Sequence, residues 1–235
     1  MPIGVILNVL AVALGGIAGC FLGGRLGDDL KEKMNWVFGA CSFAMGIKSV
    51  VLLENLPAVV LAVILGTLLG LLIHLESGIE KASARLLGPL MQDKDQAQRD
   101  LLLTAVVLFC ASGTGIYGAL DSGMTGNHSI LIAKAALDFF TAMIFACQLG
   151  IMTSFISIPQ CLIMLALFYG AKVIVPLTTP SMIADFKACG GILLLATGLR
   201  IMQLRKFPIA DMLPAMVLVM PFSYLWTAFV APLIG

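Results

Sequence analysis

The chain has 235 residues, of which 60% are hydrophobic and only 11% charged, and its formal net charge is +1. Ordinary soluble domains carry roughly 25% charged residues, so a water-soluble fold is excluded: it could not bury this much apolar surface and still cover itself with polar groups. Lipid accepts apolar outer faces, and the near-neutral balance gives no reason to expect a nucleic-acid partner.

A membrane-crossing helix needs about 20 predominantly apolar residues. Eight stretches of the sequence meet that length and composition. They run Ile3 to Gly24, Asn35 to Leu53, Pro57 to Leu75, Leu101 to Leu120, Ile130 to Thr153, Pro159 to Pro176, Ile183 to Leu204 and Met212 to Leu233. The narrowest division is Ser154 to Ile158, between spans five and six, where Pro159 marks a restart in a first helical turn. The sequence therefore predicts an all-α, polytopic membrane helix bundle formed as a single transmembrane domain over 1–235. Its one sizeable polar segment, Glu76 to Asp100, is too short for a soluble domain.

Basic residues favour cytoplasmic loops. Arg25, Lys31 and Lys33 follow span one, Lys81, Arg85, Lys94 and Arg99 follow span three, and Arg200, Arg205 and Lys206 end span seven. Eight spans with both termini outside the cytoplasm put all of these on one side, whereas merging any two spans reverses everything downstream. The stretch Ile17-Ala-Gly-Cys20 matches the short pattern before a lipid-modified cysteine, but no Lys or Arg precedes it as a secretory signal requires. It reads as a retained first helix. The six cysteines (20, 41, 110, 147, 161, 189) stand alone in apolar stretches with no CxxC pair, so neither disulfide nor metal site is expected.

Two segments recur. Gly46-Ile-Lys48 in span two resembles Gly198-Leu-Arg200 in span seven, and Leu56-Pro-Ala-Val-Val-Leu61 resembles Leu213-Pro-Ala-Met-Val-Leu218. The paired spans cross in opposite directions, the relation found in inverted-topology repeats of secondary transporters. Repeat halves 1–90 and 155–235 would then flank a central segment 100–153. The competing account is chance recurrence of residues that every membrane protein uses.

Small residues four apart share a helix face and let backbones approach. Gly15, Gly19 and Gly23 form such a stripe on span one and Gly66 and Gly70 on span three. These are packing signals, and the first is also a candidate homodimer contact. Gly113, Gly115 and Gly118 spell a GxGxxG, with Asp138 twenty residues on, but they interrupt a membrane span instead of joining a strand to a helix, which sets aside dinucleotide binding. With Ser112 and Thr114 they mark a weak point in span four. Unwound backbone there lines a wet cavity in one reading, and in the other the helix simply ends in an external loop, Asp121 to Ser129.

Lys134 and Asp138 stand at i and i+4 on span five and can pair. Asp138 lies about 12 Å inside the span end, where a charge costs roughly 3 kcal/mol. Such a residue is either half of a structural salt bridge or an ion or proton site. Asn8 and Lys172 are the other intramembrane polar residues that can join it, with Thr141 and Gln148 along the same side of span five. Lys48, Asp185 and Lys187 are nearer external span ends, where snorkelling is the default, and His74 and Glu76 are expected at the cytoplasmic interface.

The stretch from Gly113 to Gly150 (GTGIYGALDSGMTGNHSILIAKAALDFFTAMIFACQLG), the opening MPIGVILNVLAVALGGIAGCFLGGRL and the segment VFGACSFAMGIKSV resemble the YqgA-like membrane proteins, domain of unknown function 554. The resemblance implies a bacterial cytoplasmic (inner) membrane protein, and the family carries a suggestion of sodium movement. It brings no established site residues.

The expected function is transport of a small ion or solute, Na⁺ or H⁺ among them, across the lipid bilayer. No Walker-type GxxxxGK[ST] appears, so the process is not ATP-driven. The competing class is a non-transporting scaffold or sensor acting through helix interfaces. No catalytic constellation, cofactor site or metal motif stands out, so no enzyme is expected.

Overall fold

A computed structural model describes residues 1–22, 27–79, 81, 96–110 and 112–234. Among these residues every regular element is helical. Two compact units divide the chain, Met1–Trp36 with Ser77–Lys172 and Val37–Glu76 with Val173–Gly235. Gly23, Arg25 and most of the polar segment expected at Glu76 to Asp100, including Arg85 and Lys94, lie outside the described residues.

Five helical stretches among the described residues are long and apolar enough to cross a membrane: Ile3–Leu22, Ser129–Leu149, Met152–Leu177, Pro180–Ile201 and Pro214–Leu233. Leu56–Leu72 is apolar but shorter.

The first unit is built around α1 (Ile3–Leu22) and α6 (Ser129–Leu149). These run parallel: a Cβ on Gly15 would overlap the carbonyl of Phe139, and one on Gly19 the carbonyl of Met143. Helix α1 turns Gly4, Val5, Asn8, Val12, Gly15, Gly16 and Gly19 inward, while Ile6, Leu10, Leu14, Ile17 and Phe21 are exposed. Small residues inside and large apolar residues outside is the pattern that lipid selects, since tight backbone packing replaces hydrophobic collapse there. Gly15 and Gly19, the described part of the stripe offered as a homodimer contact, are thus packed from within the chain.

Span four is two helices, α4 (Gln96–Cys110) and α5 (Gly113–Thr125). Ser112 caps the second, its Oγ accepting from Gly115 N at 3.1 Å. The interruption is narrower than expected, because the helix resumes at Gly113 and runs to Thr125, past the loop start anticipated at Asp121. Gly126 ends it with φ +73°, the left-handed conformation glycine adopts without penalty. Gly115 and Gly118 are therefore close-approach positions within α5, not unwound backbone. A Cβ on Gly118 would press on Leu131, and one on Gly123 would overlap the carbonyl of Phe168. Gly150 ends α6, the short α7 (Met152–Phe155) follows, and α8 (Ser157–Ile174) carries Pro159 in its first turn.

The second unit contains most of α2 (Asp28–Val50), with α3 (Leu56–Leu72), α9 (Pro180–Ile201) and α10 (Pro214–Leu225). After α10 come a π-helical turn, Trp226–Val230, and α11 (Ala231–Ile234). Helix α9 is the most buried, and Thr179 caps it by accepting from Met182 N at 3.3 Å. It crosses α2 in antiparallel fashion through reciprocal glycine contacts. Gly46 faces the carbonyl of Gly191 and Gly191 that of Gly46, while Gly39 and Gly198 face each other's carbonyls about two turns along the same seam. Helix α3 packs antiparallel on α10, with Gly66 against Ala215 and Gly70 against the backbone of Asp211.

Candidate functional site

In the first unit the polar residues of α1, α6 and α8 meet in one layer. Lys134 and Asp138 share a face of α6 because i and i+4 lie one turn apart. Lys134 Nζ donates to Asp138 Oδ1 at 2.7 Å and to Oδ2 at 2.6 Å. From α1, Asn8 Nδ2 donates to Asp138 Oδ2 at 2.8 Å. From α8, Gln160 Nε2 donates to Asn8 Oδ1 at 2.9 Å and approaches Asp138 Oδ2 at 3.4 Å. Lys134 is 3% exposed, Asp138 6%, and Asn8 and Gln160 0%.

Apolar layers close both sides. One turn toward the N-terminal ends of α1 and α6 lie Val5 and Leu131, joined by Ala119, Met164 and Phe168. One turn the other way lie Val12 and Ala142, joined by Phe109, Cys110 and Ile156. Ile156 and Met164 flank Gln160 in the reverse order, so α8 runs antiparallel to α1 and α6. The quartet is a polar layer about one turn thick between two dry ones.

This geometry has a definite chemistry. The ion pair is neutral as a whole, which makes its burial tolerable when every charge is hydrogen-bonded. A carboxylate offers about four acceptor positions. Asp138 Oδ2 takes Lys134, Asn8 and the longer contact from Gln160, whereas Oδ1 takes only Lys134 among the described contacts. Gln160 Oε1 is buried with no hydrogen-bond partner among the described residues. The layer is therefore one oxygen donor richer than its internal bonds use.

The glycine break adjoins this layer. A Cβ on Gly115 would come 3.1 Å from Lys134 Cε, 2.8 Å from Met164 Cε and 3.1 Å from Ser112 Oγ. Residues that the sequence offered as separate candidates, Ser112 and Gly115 on one hand and Asn8, Lys134 and Asp138 on the other, thus belong to one neighbourhood. Thr114 is buried in the first turn of α5. Lys172 does not join them. It is exposed, with Nζ over the Phe168 ring, 4.9 Å from its centre, and 5.8 Å from the centre of the Tyr169 ring, a cation–π arrangement. Gln148 is also exposed, and Thr141 turns its hydroxyl back to Leu137 O at 2.8 Å. The inward face of α6 continues instead through Ala142, Ala146 and Leu149. Gln160 escaped the sequence reading, although an amide inside an apolar span is itself a signal.

The second unit holds a related buried aspartate, Asp185, which the sequence reading placed near an external span end. Asp185 is fully buried. Its Oδ1 accepts from Glu54 N at 3.0 Å and Asn55 N at 2.8 Å, and its Oδ2 from Asn55 Nδ2 at 2.8 Å and Ser223 Oγ at 2.6 Å. Desolvated but saturated with donors at the N-terminus of α3, this carboxylate is an anchor: the helix end supplies partial positive charge and all four acceptor positions are taken. Asn8 and Asp138 are 130 residues apart, and so are Asn55 and Asp185. Where α6 has Lys134 one turn before its aspartate, α9 has Ser181, which bonds Glu54. Near the far end of α3, Glu76 pairs with Arg200 at 2.8 Å and its N–H donates to Asp211 Oδ1 at 2.9 Å.

Comparison with known proteins agrees with this membrane-type architecture. Residues 3–224 match the family described as "Protein of unknown function (DUF554)". The chain is 51% identical over 235 residues to "Uncharacterized protein YqgA" of Escherichia coli (strain K12), covering 98% of this chain and 100% of that protein. It is 24% identical over 221 residues to "Uncharacterized membrane protein YdfK" of Bacillus subtilis (strain 168), covering 92% of this chain and 93% of that one. No solved structure matches. The match over almost the whole length identifies the chain as a member of the DUF554 family.

Proposed function

We propose that the protein is a carrier for a small monovalent cation in the bacterial cytoplasmic membrane, and that the Lys134–Asp138–Asn8–Gln160 layer is its binding site. The observation that carries this reading is an ion pair buried at mid-helix, with a spare amide oxygen, between two apolar layers. Hard oxygen donors around a carboxylate suit an alkali cation, and an intramembrane ionisable residue is a functional-site candidate by default. The apolar layers on either side make this an occluded arrangement: access comes by parting one layer while the other stays closed. No ATP is involved, so the driving force is an ion gradient. The protein is read as a carrier and not an enzyme.

Topology belongs to the same proposal. With α4 and α5 counted as one span, the chain crosses eight times with both termini outside. Helix directions support that count. Within the first unit α1 is parallel to α6 and antiparallel to α8, and within the second α2 opposes α9 and α3 opposes α10. These are the parities of spans one, five and six, two and seven, and three and eight. Gly46 and Gly198, one glycine from each reciprocal contact of α2 and α9, lie in segments that recur in the sequence, which supports an inverted repeat.

The test is cation uptake by purified protein in liposomes, with Na⁺, K⁺ and Li⁺ offered in turn. Asp138→Asn should abolish uptake while the protein still inserts. Uptake at the unmodified rate by Asp138→Asn would eliminate the site. A scaffold or sensor, the competing class, would show no uptake from the unmodified chain.

A further inference from the structure

We infer that the cation has a second binding position in the first unit, at the break between α6 and α7, where the Thr153 hydroxyl and the last carbonyls of α6 hold it on its way to or from the Asp138 layer. This rests on the carrier reading above and adds the direction of the route and the residues that line it.

The first unit has two buried side-chain polar atoms without a hydrogen-bond partner among the described residues, Thr153 Oγ1 and Gln160 Oε1. Both residues are fully buried. Burying a hydroxyl unpaired is costly, and native proteins rarely do it without a use for the group. The two residues lie on one helical stretch, Met152–Leu177, seven residues or about 10 Å apart. At i, i+4 and i+7, Thr153, Ser157 and Gln160 share one helix face, and all three are buried. Ser157 Oγ donates to Ser154 O at 2.7 Å, which leaves its own lone pairs available. Beyond Gln160 the buried face of α8 turns apolar, through Met164, Phe168 and Ala171. Along α8, side-chain oxygens therefore line only one of the two directions out of the Asp138 layer, the one toward the C-terminal end of α6. In the proposed topology that is the cytoplasmic end. Ser157 follows Ile156 of the apolar layer on that side, so a hydroxyl borders the layer that parts.

The backbone at this end supplies further oxygens. Gly150, at φ +64°, turns the chain out of α6. Its N–H returns to Ala146 O at 2.9 Å, but Thr153 N bonds Gly150 O at 3.3 Å and Ser154 N bonds Ile151 O at 3.0 Å. The turn is bonded within itself, and the carbonyls of Cys147, Gln148 and Leu149 receive no backbone N–H from it among the described residues. A helix C-terminus carries about half a negative charge, which a basic side chain often answers. The last turn of α6 has none, and Gly150 to Ser157 contain no charged residue. Carbonyl and hydroxyl oxygens suit an alkali cation, and broken helices in membrane carriers present their C-terminal ends to cations. The break is held in place against α1: Ser154 Oγ donates to Ala13 O at 3.0 Å, and a Cβ on Gly16 would overlap Ser154. With no carboxylate of its own the position holds the ion weakly and lets it go, as a step on a route must.

The experiment measures initial rates of Na⁺ and Li⁺ uptake against cation concentration, with the full chain in liposomes. Thr153→Val keeps the shape of the side chain and removes the hydroxyl. Because that hydroxyl has no partner, the variant should melt at or above the temperature of the unmodified protein. Its half-saturating cation concentration should rise about tenfold, the effect of one lost oxygen ligand. Thr153→Ser keeps the hydroxyl and should retain the unmodified value. An unchanged half-saturating concentration in a stable Thr153→Val protein would overturn the inference and leave the hydroxyl as a water site only. A lower melting temperature or a failure to fold would overturn it too, since the hydroxyl would then be bonded within the protein. So would equal losses in Thr153→Val and Thr153→Ser, which would trace to packing. Each of these leaves the carrier reading intact. Absence of uptake by the unmodified chain for every cation would remove the carrier reading itself, and this inference with it.

Discussion

Asp185→Asn tests whether the second aspartate is an anchor. The substitution keeps Oδ1, so Glu54 N and Asn55 N retain their acceptor. It replaces Oδ2 with an NH₂ group that faces Asn55 Nδ2, now 2.8 Å from another donor. Ser223 Oγ, 2.6 Å away, can rotate and accept. One charge-assisted bond is lost, worth about 1.5–3 kcal/mol, and one buried donor is stranded at about 1–3 kcal/mol. A net loss of about 3 kcal/mol is therefore expected, equivalent to roughly a hundredfold shift in the local opening equilibrium. Hydrogen exchange in detergent should show it at the Glu54 and Asn55 amides, whose donors point at residue 185. The reversed pair, Asn55→Asp with Asp185→Asn, restores a carboxylate facing an amide and should recover at least half the loss. Exchange rates within about threefold of the unmodified protein for the single variant, about 0.6 kcal/mol, would refute the anchoring argument.

Asp138→Asn leaves Lys134 as a lone buried cation and should destabilise the fold by about 3 kcal/mol, read as a lower melting temperature. Lys134→Met combined with Asp138→Leu should restore the melting temperature but not cation uptake, and uptake by that stable double variant would remove the pair from the transport step. Gly15→Leu should abolish folding without producing a new oligomer, because α6 occupies the space, and native mass measurement distinguishes the two outcomes. Gly115→Ala meets only flexible side-chain ends, so it should fold, while slowing uptake by crowding the Lys134 stem. Uptake at the unmodified rate would show that crowding this point leaves the transport step untouched.

The membrane architecture was legible because lipid imposes one rule on every span, a long apolar stretch with its backbone satisfied internally. Five of the eight expected spans are long apolar helices among the described residues, whereas the helix expected from Asn35 begins at Asp28 and span four is divided in two; Pro159 lies in the first turn of α8 as expected. The Lys134–Asp138 pair was legible because i and i+4 contact follows from helix geometry alone. Gln160 was not, since nothing in its span says that its amide faces Asn8, 152 residues away. Asp185 misled for a related reason. Depth along a span was readable, and it placed the residue near an end where side chains usually reach water. Its burial depends on Asn55 and Ser223, which only tertiary packing brings together. Lys172 erred the other way, because apolar surroundings in sequence do not reveal which side of the helix meets the protein interior.

The 130-residue interval shared by Asn8 with Asp138 and Asn55 with Asp185 sets an order of assembly during synthesis. At roughly 5–20 residues per second, each amide waits about 7–26 s for its carboxylate to be made. The first layer is complete once Gln160 has been added, and the second only with Ser223. Until then the N–H groups of Glu54 and Asn55, just before α3, lack the acceptor that will hold them, and α1 carries an unpaired amide. A chain whose synthesis has passed Lys172 but not yet reached Ser223 therefore has every residue of the first unit while the second still lacks a partner for Asp185.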